Sequence, residues 1–236
     1  MNDLFQKRGE PDDRLAHVHR LLLGHFGEPK PQEAKDPLSQ FIASLLSSRT
    51  KTVVAERVMR QLRARFPAWE ELRDAPVAAI QEAIAEVNFA EQKALNLKAS
   101  LAEITERYGS LTLDFLARYR TDKIRAWLEQ FPGIGHEASA EIVSLSTLRR
   151  RAIPVDAHHL RVTQRLGLTP RADAATTEER LMRLVPETWT AERLVEHHAL
   201  VQQLGQTLCT FADPKCGQCP LLKLCPFGQR QTAVHE

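Results

Sequence analysis

The chain has 236 residues, 43% of them hydrophobic, so it is long enough for one large domain or two smaller domains with real cores. Its 32 basic residues nearly balance its 30 acidic residues, and the formal net charge of +2 excludes a histone-like polycation. Any nucleic-acid surface must therefore be a local patch. No stretch approaches about 18 consecutive apolar residues, and no apolar run follows a basic start, so we predict a cytoplasmic protein without membrane contact.

Apolar residues recur at three- and four-residue steps along the chain, and no segment alternates in the manner of a β-strand. Leu15, Val18 and Leu22 show this step in the first segment, and Asp36 before Pro37 is typical of a helix start. The pattern predicts helices over residues 12–26, 36–48, 50–66, 74–87, 91–108, 121–131, 156–168, 176–185 and 190–209. A further helix is expected directly after residue 135. We predict an all-α fold with short connections.

Arginines concentrate between Thr147 and Arg171, where there are six of them and where Asp156 is the only acid. A cluster of this kind forms either a solvated face or a local nucleic-acid patch. Composition favours neither interpretation over the other.

All four cysteines lie within 17 residues, in the spacing C-x6-C-x2-C-x5-C: Cys209, Cys216, Cys219 and Cys225. Disulfides are disfavoured in the cytoplasm, so four close thiols predict a metal site. Structural zinc prefers two closely spaced cysteine pairs, and this chain has one. Iron–sulfur clusters accept wider spacings. The spacing therefore favours an iron–sulfur cluster, with zinc as the alternative.

The stretch FPGIG at residues 131–135 has two glycines two residues apart, directly before a helix. Glycine adopts positive φ without steric cost, so successive backbone amides can form a concave anion site, which the positive end of the next helix reinforces. A DNA phosphate suits such a site, and a plain interhelical turn is the alternative. The residues expected at this site are Pro132, Gly133, Ile134, Gly135 and His136.

Together these features resemble endonuclease III, a family of base-excision DNA glycosylases in the helix-hairpin-helix superfamily. FPGIG resembles the family's hairpin, and IPVDAHHLRVTQRLGL resembles its V-D-T-H strip. EQKALNL resembles its Lys-Ala segment, LLSSRTKT resembles its L-L-S-x-Q segment, and the cysteine spacing resembles its [4Fe–4S] loop. The resemblance covers nearly the whole chain.

The resemblance implies two α domains. A six-helix barrel over residues 30–150 would carry the hairpin, and residues 1–29 with 151–236 would form the domain that holds a structural [4Fe–4S] cluster. It also implies a nucleoid-associated monomer that acts on double-stranded DNA containing a damaged base. Lys215, in the cysteine loop, is expected to face a phosphate.

The resemblance places Asp156 at the family's catalytic aspartate, in a cleft that Glu137 would share. Cleavage of the bond between base and sugar builds positive charge on the sugar, which a buried carboxylate stabilises while it orients a water. Asp156 also stands where a helix N-cap is expected, and the two roles are compatible.

Glu137 is the main departure from the family. Bifunctional members have a lysine two residues after the second hairpin glycine, and its amine forms a Schiff base with the sugar. In this chain the residue two positions after Gly135 is Glu137. A carboxylate cannot form a Schiff base, so we expect weak or absent AP-lyase activity. Three roles stay open for Glu137: an acid or base beside Asp156, a group that repels DNA, or a helix first-turn acid without chemistry.

Three further positions bear on DNA binding. Arg49 stands where the family has a glutamine that fills the gap left by the flipped base, and arginine can also stack and donate hydrogen bonds there. Thr52 stands where the family has an acid. Phe89 matches a position where the family inserts an apolar wedge, with a packing role as the alternative.

We therefore expect a hydrolytic DNA glycosylase that excises a damaged base, with an oxidised pyrimidine as one candidate, and with Asp156 and Glu137 at its catalytic site. The alternative is a catalytically silent or altered-specificity DNA-damage binding protein of the same fold, which the substitutions at Arg49, Thr52 and Glu137 favour. An iron–sulfur electron carrier is a third possibility, which the hairpin disfavours.

Overall fold

The structure, a computed structural model, describes residues 13–30 and 33–233. Residue 12 of the first predicted helix lies outside the described residues, as do residues 1–11, 31–32 and 234–236 of the predicted domains. Across the described ranges the secondary structure is helical, with an isolated β-bridge between Lys35 and Ser146 and no strand. The predicted all-α class is confirmed. None of the described helices has both the length and the apolar character needed to cross a membrane.

The described residues form twelve α-helices. In chain order they are α1 (Arg14–Phe26), α2 (Pro37–Ser47), α3 (Thr52–Arg65), α4 (Trp69–Asp74), α5 (Val77–Ala83), α6 (Ala90–Tyr108), α7 (Thr121–Leu128), α8 (His136–Leu145), α9 (Ala157–Arg165), α10 (Ala174–Leu184), α11 (Ala191–Thr207) and α12 (Pro226–Ala233). Short 3-10 segments occur at Asp114–Arg118, Cys216–Gln218 and Leu222–Leu224.

The chain divides into two compact units. One is Glu33–Arg150, which contains α2 to α8. The described part of the other combines residues 13–30 with residues 151–233, and contains α1 and α9 to α12.

Helix α2 is the central element of the unit Glu33–Arg150. It is apolar over most of its circumference, as expected of a helix surrounded by protein, and it packs against α3, α6 and α8. Phe41, Leu45 and Leu46 on this helix are almost fully buried. Asp36 begins the helix, because its Oδ1 accepts a hydrogen bond from the Ser39 amide at 2.8 Å. This buried helix thus ends at the segment that carries Arg49.

The second unit is organised around α11, which packs against α9 and α1. Val162 of α9 and Leu200 and Leu204 of α11 belong to one apolar cluster, against which three of the four cysteines also pack. A second cluster contains Leu15 of α1 and Val155, just before α9. These cores place the start of α9 and the cysteine segment on the same packed framework.

Two helices were not predicted from the sequence. Helix α4 has only six residues, too few for a periodic pattern, and it begins where the Ala68 amide donates to the Glu71 carboxylate at 3.3 Å. Helix α12 follows directly on Cys225. Conversely, α5 ends at Ala83, whereas the periodicity predicted a helix up to residue 87.

Candidate functional site

The segment between α7 and α8 is a tight turn. The Ile134 amide donates to the Phe131 carbonyl at 3.1 Å, which closes the turn. Gly133 has a φ of +87°, and a Cβ there would lie 2.7 Å from Leu45 Cδ2 and 2.8 Å from Asn96 Nδ2. This position therefore favours glycine through its backbone conformation, and a larger residue would also have to displace the ends of the Leu45 and Asn96 side chains.

Gly135 differs from Gly133. Its φ of −97° and ψ of −171° are extended backbone, and a Cβ there would meet no atom within 4 Å. Only Gly133 uses the conformational freedom that the sequence assigned to both glycines, because Gly135 is the N-cap of α8 and an N-cap is extended. Its carbonyl accepts the Ser139 amide at 2.9 Å.

The side chains at the start of α8 tie it to α7. Arg125 donates from Nε to Ser139 Oγ at 3.0 Å and from its second terminal nitrogen to the His136 carbonyl at 2.9 Å. Ser139 Oγ in turn donates to Glu129 Oε1 at 2.6 Å. The sequence analysis did not identify Arg125 and Glu129 as residues that support the turn. Their i,i+4 spacing within a predicted helix indicates that the two side chains can interact. Through this network the turn is held from both helices.

The predicted hairpin residues divide into buried and exposed members. Ile134 is buried, so its side chain anchors the turn rather than facing a ligand, whereas Pro132 is exposed. Gly135, the N-cap residue, has no side chain with which to cap the N-terminus of α8. Glu137 lies exposed in the first turn of α8, where a negative charge interacts favourably with the helix dipole.

Arg49 and Phe89 are brought together although they are far apart in sequence. The Arg49 guanidinium carbon lies 5.9 Å from the centroid of the Phe89 ring, and both side chains are exposed, Phe89 to 61%. Both residues have positive φ, 53° for Arg49 and 60° for Phe89. A core-packing role for Phe89 is inconsistent with this exposure.

A cavity of about 180 Å³ joins this pair to the hairpin turn. It is lined by Leu45, Ser48, Arg49, Phe89, Gln92, Lys93, Asn96 and Gly133. The cavity thus combines an aromatic face, a guanidinium, two amide side chains and the glycine of the turn. Gln92, Lys93 and Asn96 were not among the predicted site residues, although EQKALNL had been singled out.

Asp156 is the N-cap of α9 and is largely buried, with a side chain 12% exposed. Its Oδ1 accepts from the His159 amide at 2.7 Å and its Oδ2 from Gln202 Nε2 at 3.1 Å. Burial alone would raise the pKa of this carboxyl, but hydrogen bonding to His159 and electrostatic interaction with His159 and His198, whose rings are protonated in acid, lower it well below its usual range. Asp156 is therefore ionised at neutral pH. Gln202 was not predicted, because only tertiary packing brings α11 to this carboxylate.

Several buried histidines lie next to Asp156. His159 and His198 stack with ring centroids 4.9 Å apart, and His197 is buried beside them. Burial lowers the pKa of His198 to about 4, so its ring is neutral at pH 7. Within the described ranges, no group of three or more histidines, cysteines or acids is arranged to hold a metal ion. These rings pack the wall behind Asp156.

The four cysteines line one pocket together with Leu208, Pro214, Leu222, Phe227 and Gly228, and all four are free thiols. Burial raises the pKa of Cys216 and Cys225, and raises that of Cys219 to about 11, with the charges of the neighbouring cysteines adding to the shift. Thiols that raise one another's pKa are suited to a cation that neutralises their thiolates.

Two donors point at cysteine sulfurs in this pocket. Arg165 donates to Cys209 Sγ at 3.3 Å, and the Gly228 amide donates to Cys225 Sγ at 3.3 Å. Hydrogen bonds to cysteine sulfur are a common feature of iron–sulfur sites, so the chemistry of these four thiols suits a cluster, although the cysteines of the described chain are not arranged as a preformed ligand group.

Two arginines of the predicted basic stretch support the cysteine loop from α9. Arg161 donates from Nε to the Cys209 carbonyl at 2.8 Å, and Arg165 donates to the Thr210 carbonyl at 2.7 Å. Arg165 also stacks on Phe227, 4.3 Å from its ring centroid. These two residues are therefore part of the loop's scaffold. Lys215 of the same loop is exposed.

Residues 42–187, more than half of the chain, match the family described as HhH-GPD superfamily base excision DNA repair protein. The chain belongs to this superfamily. The matched range includes the turn at Gly133 and the start of α9 at Asp156.

Named relatives extend this assignment. Endonuclease III of Bacillus subtilis (strain 168) is 30% identical over 198 residues, which cover 83% of this chain and 84% of the relative. Endonuclease III of Synechocystis sp. (strain ATCC 27184 / PCC 6803 / Kazusa) is 24% identical over 233 residues, which cover 97% of this chain and 99% of the relative. Among solved structures, a non-covalent endonuclease III–DNA complex matches with a TM-score of 0.77 at 22% identity, over 94% of this chain and 98% of that chain, and shows the fold. The predicted endonuclease III-like assignment is confirmed.

Proposed function

We propose that this member of the HhH-GPD superfamily is a hydrolytic DNA glycosylase, which excises a damaged base and has weak or absent AP-lyase activity. The observation that carries the proposal is Asp156, a largely buried carboxylate that stays ionised at the start of α9. Endonuclease III relatives, and a solved relative in complex with DNA, support double-stranded DNA as the partner. The enzyme would then work as a monomer at the nucleoid.

The low pKa of Asp156 bears on its role. A strongly acidic carboxylate is a poor proton acceptor, so its main contribution is electrostatic: it stabilises the positive charge that develops on the sugar as the bond to the base breaks. The base leaves with the bonding electron pair, a water oxygen adds to C1′, and the water's proton passes to the departing base or to solvent. Each oxygen of Asp156 keeps lone pairs beyond its bonds to His159 and Gln202, so the carboxylate can also orient that water.

Glu137 supports the monofunctional character of the reaction. A covalent route to strand cleavage needs an amine that forms a Schiff base with C1′, and a carboxylate has no such amine. Glu137 occupies the position where the motif count expects that lysine, in the exposed first turn of α8. In this proposal the abasic product leaves with its strand intact.

DNA binding is assigned to the turn between α7 and α8, to the pair Arg49 and Phe89, and to Lys215. The turn offers backbone amides at a helix N-terminus, which suits a phosphate and carries no base preference. An exposed arginine stacked on an exposed phenylalanine suits the gap at an extruded base. The proposed domains are residues 30–150, a six-helix barrel with the turn, and residues 1–29 with 151–236.

A [4Fe–4S] cluster is proposed in the pocket of Cys209, Cys216, Cys219 and Cys225. When bound, the cluster would supply a rigid covalent cross-link of the loop and no chemistry at the sugar. Arg165 and the Gly228 amide would donate to its thiolates. Lys215 would be held at a fixed place on the surface.

A second candidate function is recognition of damaged DNA without excision. Glu137 favours it, because an exposed carboxylate close to a phosphate site repels DNA and lowers its occupancy. The two candidates differ in one product, the free base.

Oligonucleotide duplexes with a panel of lesions, including oxidised pyrimidines, test the proposal when they are incubated with and without subsequent alkali. A hydrolytic glycosylase gives strand breaks only after alkali. Breaks without alkali, together with a borohydride-trapped adduct, would contradict the monofunctional assignment. Binding without breaks under either condition would favour the second candidate.

The variant Asp156→Asn tests the carboxylate. Asparagine caps helices as well as aspartate does, so the fold is kept while the charge is lost. We expect the single-turnover rate of base release to fall about 1,000-fold. Asp173→Asn is the matched control, because Asp173 caps α10 by the same hydrogen bond, to the Thr176 amide at 2.8 Å. Equal rates in the two variants would refute the role of Asp156.

A further inference from the structure

Gln202 is a half-buried residue of α11 whose side chain reaches the carboxylate of Asp156. Its Nε2 donates to Asp156 Oδ2 at 3.1 Å, although the two residues are 46 positions apart in the chain. The other oxygen, Oδ1, accepts from the His159 amide at 2.7 Å. The carboxylate is therefore held at both of its oxygens, by donors on two different helices of the same unit.

Capping of a helix does not by itself require such a long-range donor. Asp36 caps α2, and both of its oxygens accept from Ser39, one from the backbone amide and one from the hydroxyl. Asp156 receives only the backbone amide from the corresponding residue, His159. The ring of His159 does not take the place of the hydroxyl, because its Nδ1 lies 3.8 Å from Asp156 Oδ1, too far for a direct hydrogen bond. A distant helix supplies the second donor instead.

A neutral amide is chemically suited to hold this carboxylate. Rotation of an aspartate carboxyl about its last side-chain bond has a broad energy minimum, so a donor at the second oxygen restricts the orientation. Glutamine carries no charge, whereas an arginine or lysine at this place would form an ion pair and offset the charge of the carboxylate. The stacked ring of His198 is also neutral at pH 7, since burial lowers its pKa to about 4. The negative charge of Asp156 is thus oriented without being neutralised.

We propose that Gln202 is the positioning residue of Asp156, and that its amide fixes the plane in which the carboxylate faces the positively charged sugar. This inference rests on the proposed function, since Asp156 faces such a sugar only if the protein excises a base. Electrostatic stabilisation is most effective when the charged group is oriented before the reaction and does not have to rotate during it. Gln202 acts through Asp156 alone, so it affects the positively charged sugar and leaves binding of neutral abasic DNA unchanged.

Two DNA duplexes with abasic analogues test this role without knowledge of the excised lesion. One carries tetrahydrofuran, a neutral analogue of the sugar. The other carries a pyrrolidine nucleotide, whose ring nitrogen is protonated at neutral pH and resembles the positively charged sugar. The ratio of the two Kd values, measured by fluorescence anisotropy, reports the interaction of the protein with that charge. In wild type we expect the pyrrolidine duplex to bind at least about 100-fold more tightly, and Asp156→Asn to remove most of this preference.

Gln202→Met keeps the size of the side chain and removes its donor. We expect the preference for the pyrrolidine duplex to fall about tenfold, while the Kd of the tetrahydrofuran duplex changes less than about twofold. Gln202→Asn keeps an amide on a side chain that is one methylene shorter, so its donor does not reach Oδ2 and the same loss is expected. This second variant remains informative if Gln202→Met does not fold. An equal loss of affinity for both duplexes would indicate a structural role and overturn the proposal.

The matched control is Gln203→Met, because Gln203 is the exposed neighbour on the same helix. It should change neither Kd by more than about twofold. In the Asp156→Asn background, Gln202→Met should change the preference less than about twofold, since no carboxylate is left to orient. A full loss in that background overturns the positioning role.

The two proposals fail in different ways. A wild-type preference that Asp156→Asn removes, and that both Gln202 variants retain, overturns the role of Gln202 alone. Equal binding of the two duplexes by wild type, or an undiminished preference in Asp156→Asn, overturns the proposed function as well.

Discussion

The two units of the molecule differ in how closely their residues follow the endonuclease III pattern. The unit that contains Asp156 and the four cysteines keeps the family's aspartate and the family's cysteine spacing, with Ala157 where the family's strip has threonine. The unit Glu33–Arg150 matches the family's segments but carries Arg49, Thr52 and Glu137 where glutamine, an acid and lysine are expected. The difference teaches that the departures at positions proposed to contact DNA or to supply the lyase amine lie in one unit, whereas the aspartate proposed for base release is kept in the other.

The contrast between the units can be broken most clearly at Glu137, where one substitution should supply the AP-lyase activity that we propose to be weak or absent. Glu137→Lys supplies an amine in the first turn of α8, and this position is exposed, so the fold is unaffected. We expect strand cleavage without alkali to rise at least about 100-fold, with a borohydride-trapped adduct. The trapped complex, resolved by denaturing electrophoresis, is the measurement.

Glu141→Lys is the control for that gain, since it adds the same charge one turn further along α8. An equal rise in both variants would show that positive charge, rather than a nucleophile at residue 137, limits cleavage. A borohydride-trapped adduct with the wild-type protein would contradict the proposed lack of AP-lyase activity.

In the other unit, the proposed cluster is tested by substitution of a cysteine. Cys216→Ser removes one thiolate of the proposed cluster, and metal binding to a folded loop is folding free energy. We expect loss of visible absorbance and of bound iron, and a Tm lower by more than about 5 °C. Zinc found by elemental analysis of colourless wild-type protein would contradict the cluster. The same substitution should leave the contact between Arg49 and Phe89 intact, because both residues belong to the other unit.

The hairpin offers a contrast within one turn. Gly133→Ala forces a Cβ against Leu45 and Asn96 at positive φ, and should lower the free energy of unfolding by about 3 kcal/mol. Gly135→Ala meets open space at an extended N-cap and should cost less than about 1 kcal/mol. Urea denaturation measures both. Similar costs would mean that the turn relaxes around Gly133.

The sequence predicted the fold well where helices are long and periodic, as in α1, α2 and α6. It could not predict α4, because six residues span too few turns for a pattern. In the site, it indicated Arg49 and Phe89 separately, but a contact between distant segments is a product of tertiary packing. Lys93 was overlooked as a buried group because lysine is almost always exposed. The arginines of α9 could not be assigned either, since the cysteine loop that they support lies far along the chain.

The smallest expected effect concerns pH and the charge of Asp156. Its folded pKa is lower than the ordinary value of 3.8, so the carboxylate stabilises the native state above about pH 4, and this stabilisation is lost as the pH falls toward the folded pKa. Asp156→Asn has no such titration. Wild type should therefore be more stable than the variant by about 1 kcal/mol at pH 7, and the difference should shrink steadily below pH 4. The charge of Asp156 raises the pKa of the buried His198, so the difference between the two proteins reports the carboxylate together with its interaction with the neighbouring histidines. A difference that persists unchanged to pH 3 would show that the shape of residue 156, and not its charge, stabilises the start of α9. It would contradict the assignment of Asp156 as an ionised group that acts on the sugar.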